Sequence, residues 1–463
     1  MATSSALSLF LHLILFFFFF FLTFSTLQAS FGYDNAPDDP LHLIEVTSIT
    51  PAHHCTKLGP VRQTPGVVGL PLAHRHGPCS PIFHEQPPSM YYRSVLHKDR
   101  MRVASLNGFS LKRKTPRRSL LIDGGSNAQL PITSSSEFVV TVGLGTPMLD
   151  LVLIFDTGSD ISWTQCQPCS STLCYPQQGQ MFDPSNSSTF SKPPCSTSSC
   201  SYSIDYADGS HSNGYYGQDT LTLTPEYVFP KFLFGCGQNN SDGYGGAAGV
   251  LGLGQGATTL ISATQSEFAS IFCYCIPPTE SSTGYLLFGL KALEVCQTST
   301  FTPLITDPSR PSLYFVNLLG ITVGTKSITM PSSMKSRAII DSGTMITRLP
   351  PSVYSVVQAE FKNLMKDYPA VPGSDLLDTC YDLSKYQNAT IPKLVLNFEN
   401  CKVPLDPSAA IWTESDSKFC LAFSVNKNHD DLVIIGSAQQ RNLNILYDIQ
   451  DHKVEFGSGS CGE

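Results

Sequence analysis

From about residue 136 to the C-terminus, short apolar runs and alternating stretches are punctuated by Gly, Pro, Asn and Ser, which is how strands and tight turns read. Phe138-Val139-Val140-Thr141-Val142 is β-branched, and Gly143-Leu144-Gly145-Thr146-Pro147 turns the chain after it. Residues 201–224 alternate like a hairpin with Tyr206-Ala207-Asp208-Gly209-Ser210 at the tip. More strands are predicted at 232–236, 248–254, 314–323 and 432–449. Helical spacing is scarcer. Val353, Val356, Val357, Phe361 and Leu364 mark a helix over 350–366, and residues 90–106 can form a basic one. The pattern predicts an all-β fold.

Two stretches depart from it. Residues 9–24 are almost wholly apolar, including Phe16 through Phe21, and a small-residue exit ends at Ala29. Residues 1–29 therefore read as a signal peptide, although no Lys or Arg precedes the run and Leu27 is large for its place. An uncleaved anchor is the alternative. No other segment is apolar enough to span a bilayer, so no stable membrane span is expected after cleavage. Residues 30–118 hold seven of the 11 histidines and the basic clusters Lys112-Arg113-Lys114 and Arg117-Arg118, which suit proteolytic processing. They read as a prosegment of approximate boundary. His53-His54-Cys55 with His74, His76 and Cys79 fits no zinc-finger spacing, so no metal is expected.

The strongest signal is a repeat. Leu151-Val152-Leu153-Ile154-Phe155 leads into Asp156-Thr157-Gly158-Ser159, and Ala338-Ile339-Ile340 leads into Asp341-Ser342-Gly343-Thr344. Val250-Leu251-Gly252 and Ile434-Ile435-Gly436 follow at nearly equal distances, 94 residues after Gly158 and 93 after Gly343. Two landmarks in phase, one domain length apart, indicate an internal duplication. Residues 119–308 and 309–463 are then two lobes, crossing near 307–311, with one acid each at the seam.

Two carboxylates at close range cannot both ionise cheaply, so the pair shares a proton and holds a general base and a general acid together. The ionised acid can activate water against a peptide carbonyl while the other protonates its oxygen. Thr157 and Ser342 can hydrogen-bond across the seam, Ser159 and Thr344 can reach the outer carboxylate oxygens, and Gly158 and Gly343 let backbone N–H groups approach. Beyond residue 118 only His211, His429 and His452 remain, and no Gly-x-Ser-x-Gly occurs, which argues against a Ser-His or Cys-His hydrolase. Charged residues are 14% and cysteines number 15, a balance that suits a β-rich protein in an oxidising compartment. Cys166-Gln167-Pro168-Cys169 sits among other cysteines and reads as structural, not redox.

Phe155 to Asp160 with Trp163, the Tyr206 segment, Phe234-Gly235-Cys236-Gly237, Ile340 to Thr344 and Ile434 to Gly436 together resemble the pepsin-like aspartic proteases. The likeness is to the plant nepenthesin-type branch, often described as chloroplast nucleoid DNA-binding-like, and runs from the basic prosegment to the C-terminus. It implies a bilobal fold of two β-barrel-like lobes with a cleft between, Asp156 and Asp341 as the dyad, and no cofactor. It also implies a flap of Tyr206, Ala207, Asp208 and Gly209 over the substrate, supported by Trp163. Ala207 stands where a flap glycine is usual, and residues 182–206 look short of one cysteine pair. Disulfide candidates are Cys166, Cys169, Cys174, Cys195, Cys200, Cys236, Cys275, Cys380, Cys420 and Cys461. Cys273, Cys296 and Cys401 look like extras. The 13 cysteines after residue 118 cannot all pair internally, so one of these three is expected to be free. Asn186, Asn239 and Asn388 are glycosylation candidates.

The expectation is a secreted, monomeric acid endopeptidase, made as a zymogen and cutting between bulky apolar residues. The extracellular side is favoured, with vacuole and plastid open. The rival is a catalytically silent, inhibitor-like binding protein using the same cleft. Residues 30–118 carry 12 Lys/Arg against 6 Asp/Glu, and residues 119–463 carry 17 against 31. That contrast admits nucleic-acid binding through Lys112 to Arg118, or autoinhibition with a Lys or Arg beside the catalytic acids. Autoinhibition is favoured, because only Tyr91 and Tyr92 in the basic run could stack on bases.

Overall fold

The computed structural model describes residues 39–50, 52, 54–55, 68–83, 88–111, 137–194, 200–205, 210–241, 243–331, 337–374, 376–459 and 461. The apolar N-terminus, the basic clusters at 112–118, the flap residues Tyr206, Ala207, Asp208 and Gly209, and Cys195 lie outside them. Leu41–Glu463 forms one compact unit.

The architecture is all-β and bilobal. A 13-stranded sheet among the described residues carries the first lobe, and an eight-stranded sheet built on the strand Tyr314–Val323 carries the second. In each lobe the acid closes a strand paired in parallel with a later one. Leu149–Asp156 pairs with Gly249–Gly252, which sets Asp156 opposite Gly252. Arg337–Ile340 pairs with Val433–Ile435, which sets Ile340 opposite Ile435, just before Gly436. Parallel strands are covered on both faces and so need continuous apolar runs, here with Ile154, Phe155, Ile339 and Ile434 all fully buried. The in-phase glycines of the sequence are thus the partners of the acid-bearing strands.

The lobes exchange strands at the C-terminus. Leu443–Asp448 and Lys453–Ser458 pair with each other, and the former joins Ile271–Cys275 in the first lobe's sheet. The predicted hairpin forms from Ser201–Asp205 and His211–Thr224. The helix expected at 350–366 spans Pro351–Leu364 and buries Val353, Tyr354, Val357 and Phe361.

Described residues between 41 and 111 are woven into this body. The strand Leu41–Glu45 pairs with Asn388–Pro392. The strand Val68–His74 lies inside the large sheet, between Thr283–Phe288 and Phe138–Leu144. Next comes a helix, Pro88–Leu111, which buries Val95, Leu96, Asp99, Arg102, Val103, Leu106 and Asn107. That spacing is one helical face, apolar except for the three polar residues.

Cysteine pairing corrects one expectation. Cys166–Cys236, Cys169–Cys174, Cys275–Cys461 and Cys380–Cys420 are bonded, and so is Cys200. Cys273 and Cys296, expected as spares, are bonded to each other because the short helix Leu290–Cys296 folds back over the strand Ile271–Cys275. Cys401 remains a free, buried thiol. Cys55 and Cys79 form a disulfide. Asn186, Asn239 and Asn388 are exposed, and Asn388 is paired in register with Glu45.

Candidate active site

The two Asp-Thr/Ser-Gly loops meet about a pseudo-twofold axis. Thr157 donates its N–H to the Ser342 hydroxyl at 3.0 Å, and Ser342 donates its N–H to the Thr157 hydroxyl at 3.0 Å. The Gly158 N–H reaches Asp156 Oδ1 at 2.9 Å, and the Gly343 N–H reaches Asp341 Oδ1 at 3.0 Å. Ser159 Oγ donates to Asp156 Oδ2 at 2.5 Å, and Thr344 Oγ1 donates to Asp341 Oδ2 at 2.6 Å. Each small residue of the motif has a fixed duty: one locks the lobes, one gives a backbone donor, one holds the outer oxygen.

Both carboxylates are fully buried, and the guanidinium of Arg102 spans them. Its Nε and Nη2 donate to Asp341 at 2.8 and 2.6 Å, and its Nη1 and Nη2 donate to Asp156 at 3.1 and 2.9 Å. Burial alone would make Arg102 easier to deprotonate, but the two carboxylates more than offset this and hold its pKa above the ordinary arginine value. The glycines make room for it. A Cβ on Gly158 would lie 2.3 Å from Arg102 Nη2, and one on Gly343 would lie 2.2 Å from the guanidinium carbon.

One helical turn earlier, Asp99 makes a second buried ion pair. Its Oδ2 accepts from Arg348 Nη2 at 2.5 Å, and its Oδ1 accepts from the Met345 N–H at 2.5 Å. Burial raises the Asp99 carboxyl above its usual range despite the pull of Arg348. Lys98 Nζ donates to the Gly243 carbonyl, and Asn107 Oδ1 accepts from the Leu432 N–H. Trp163 is buried with its ring edge-on to Tyr244, centroids 4.9 Å apart.

The chain matches two family models, described as xylanase inhibitor N-terminal, over residues 138–290, and xylanase inhibitor C-terminal, over 313–458. It is 36% identical over 446 residues to an aspartyl protease family protein of Arabidopsis thaliana, covering 91% of this chain and 93% of that one. The chain belongs to the plant aspartic protease family. It is 33% identical to the aspartic proteinase nepenthesin-1 of Nepenthes gracilis, over 76% of this chain and 84% of that one. Basic 7S globulin from soybean shares the fold at a TM-score of 0.57 and 19% identity, covering 71% of this chain and 96% of that one.

The sequence alone pointed to a Lys or Arg beside the acids without saying which, and it did not single out Asp99 or Arg348. The signal for Asp99 and Arg102 was present: two opposite charges on the apolar face of a helix. A charge on a buried face needs a partner across the interface.

Proposed function

We propose that this chain is the precursor of an aspartic endopeptidase in which Asp156 and Asp341 hydrolyse peptide bonds at acid pH. The observation that carries the reading is the guanidinium of Arg102 seated on both carboxylates within a symmetric hydrogen-bonded frame. A site that binds a planar cation with two carboxylates will, once the cation leaves, hold two like charges face to face. One of them takes a proton, and the pair becomes a base and an acid poised on either side of a peptide carbonyl. Thr157 and Ser342 keep the distance between lobes fixed during the exchange of roles. Ser159 and Thr344 hold the outer oxygens, so the inner ones are those that meet water and substrate.

Residues 30–118 act in this reading as a prosegment and inhibitor, with Arg102 as the blocking residue. On acidification the segment is released and cut near Arg118. Entry through the secretory pathway and delivery to the extracellular side are supported by the apolar N-terminus and by the disulfides, which need an oxidising compartment. Protein or peptide substrates are the partners of the cleft, and nucleic acid is not. The mature protein is a monomer.

Asp156→Ala or Asp341→Ala should lower cleavage of an unfolded protein substrate at acid pH at least about a thousandfold while leaving a folded protein. The wild-type precursor should be stable near pH 7 and shorten on acidification. A second reading, a silent inhibitor-like protein, is favoured by the xylanase-inhibitor description of the matching models. Processed wild-type protein that cuts no peptide at any acid pH, yet still binds a statine-type inhibitor, would establish that rival.

A further inference from the structure

The same turn that presents Asp341 also presents Arg348, seven residues on, in the strand Thr347–Leu349. Arg348 is only 2% exposed, and among the described residues its carboxylate partner is Asp99. Its Nη1 donates to the Ile346 carbonyl at 2.7 Å, which fixes the guanidinium in place. The Met345 N–H and Arg348 Nη2 converge on the two oxygens of one carboxylate. When the helix departs, both donors lose their acceptor beside the catalytic acids. A carboxylate from the next occupant of the cleft can restore the charge-assisted pairing.

The matching place in the first lobe is filled from within the protein. Asp160, which stands four residues after Asp156 as Met345 stands four after Asp341, accepts from the Gly256 N–H at 2.9 Å and from the Ser312 hydroxyl. Its carboxylate is spent inside the protein.

We propose that Arg348 and the Met345 N–H form a substrate subsite for an acidic side chain, which Asp99 fills in the precursor. Asp99 and Arg102 lie three residues apart on one helix face, about 5–6 Å between their Cβ atoms. An extended peptide rises about 3.3 Å per residue. The subsite therefore takes an Asp or Glu within about two residues of the cleaved bond. This narrows the reading of the cleft as selective for bulky apolar residues alone.

The proposal rests on the proteolytic reading above, and its test keeps the two apart. A set of otherwise identical peptides carries a single Asp, or its Asn isostere, at each position from three before to three after the cleaved bond. The processed wild-type protein should prefer Asp over Asn at one position by about ten- to a hundredfold in kcat/KM at about pH 5, where a peptide Asp is ionised. In Arg348→Gln that ratio falls to about one, and Arg348→Lys keeps part of it; a ratio within each protein is insensitive to the amount of folded enzyme. Asp99→Asn alters the latency of the precursor but leaves the ratio of the processed protein intact. A ratio near one at every position in wild type, or an unchanged ratio in Arg348→Gln, overturns the subsite while leaving the protease. If no peptide is cut, calorimetry with statine peptides bearing Asp or Asn replaces turnover. Tighter binding of the Asp form then keeps the subsite and removes the enzyme, and equal binding removes both.

Discussion

The strand Val68–His74 and the helix Pro88–Leu111 follow one another in the chain and grip the rest of the molecule by different physics. The strand is held by burial: Val68 and Leu72 have no exposed surface, and both edges of the strand are hydrogen-bonded to neighbours. The helix has apolar contacts at Val95, Leu96, Val103 and Leu106, but at its centre it carries two buried ion pairs. Apolar burial is indifferent to pH and is strengthened by many salts; buried ion pairs are worth what their partners' charges make them. The helix can be loosened by a change of charge that leaves the strand in place.

The largest way to break this contrast is Arg102→Met. Removing the cation leaves Asp156 and Asp341 facing each other buried and uncompensated, at a cost of about 3–5 kcal/mol to the closed state. The uncut precursor near pH 7 should then bind a statine-type inhibitor at least about a hundredfold more tightly than wild type, read by calorimetry. A variant as closed as wild type would mean that the apolar face alone holds the helix. Leu72→Ala tests the other grip. It should destabilise the precursor by about 2–5 kcal/mol in urea unfolding, equally at about pH 7 and about pH 5, with the inhibitor still excluded. If it opened the cleft as Arg102→Met does, the strand and helix would be one cooperative element.

Why the strand escaped the sequence and the site did not follows from the same physics. The acid motifs were legible because their chemistry is local: an apolar strand, an acid, and small residues around it, present twice at the same spacing. Their hydrogen bonds then fell out of residue type. Val68-Gly69-Leu70-Pro71-Leu72 is hard to read as a strand from sequence, because Gly and Pro argue against an interior one. Pro71 is tolerated in the register opposite Tyr285, where it stays exposed, while Val68, Leu70 and Leu72 fill the inner face. Arg102 and Asp99 were hidden by composition. They stand in a run of Lys, Arg and His that reads as a solvated basic face, and only the helical period picks them out. The pairing of Cys273 with Cys296 depends on a helix folding back over a strand, which no spacing rule encodes.

The smallest expected effect concerns the end of the strand, where the two grips touch. His76 packs beside Arg75, which donates to Glu137 at 2.8 and 2.6 Å, and His76 Nε2 lies 3.5 Å from Glu137. Burial first, then the positive charges of Arg75 and Lys98, push the His76 pKa from its ordinary 6.5 down to about 2. The bound strand therefore refuses a proton that the released strand accepts. Between pH 6.5 and about 2 the released state binds more protons, so the grip weakens as pH falls, by up to about 1.4 kcal/mol per pH unit. His74 is shifted the same way by its burial, but it faces Glu280 at 3.7 Å, whose carboxyl burial raises to about 7. Glu280 takes up a proton in the bound state as pH falls from 7 toward its ordinary 4.5, and so works against His74. Asp99, raised by burial, opposes release in the same sense. His76 and His74 favour release as pH falls, and Glu280 and Asp99 oppose it. His76→Gln should flatten the loss of precursor stability between pH 6.5 and 4, and move the pH of release downward by less than about one unit. Urea unfolding of the uncleaved Asp156→Ala precursor at a series of pH values, with and without His76→Gln, measures the slope. Two parallel lines over that range would remove His76 as a sensor.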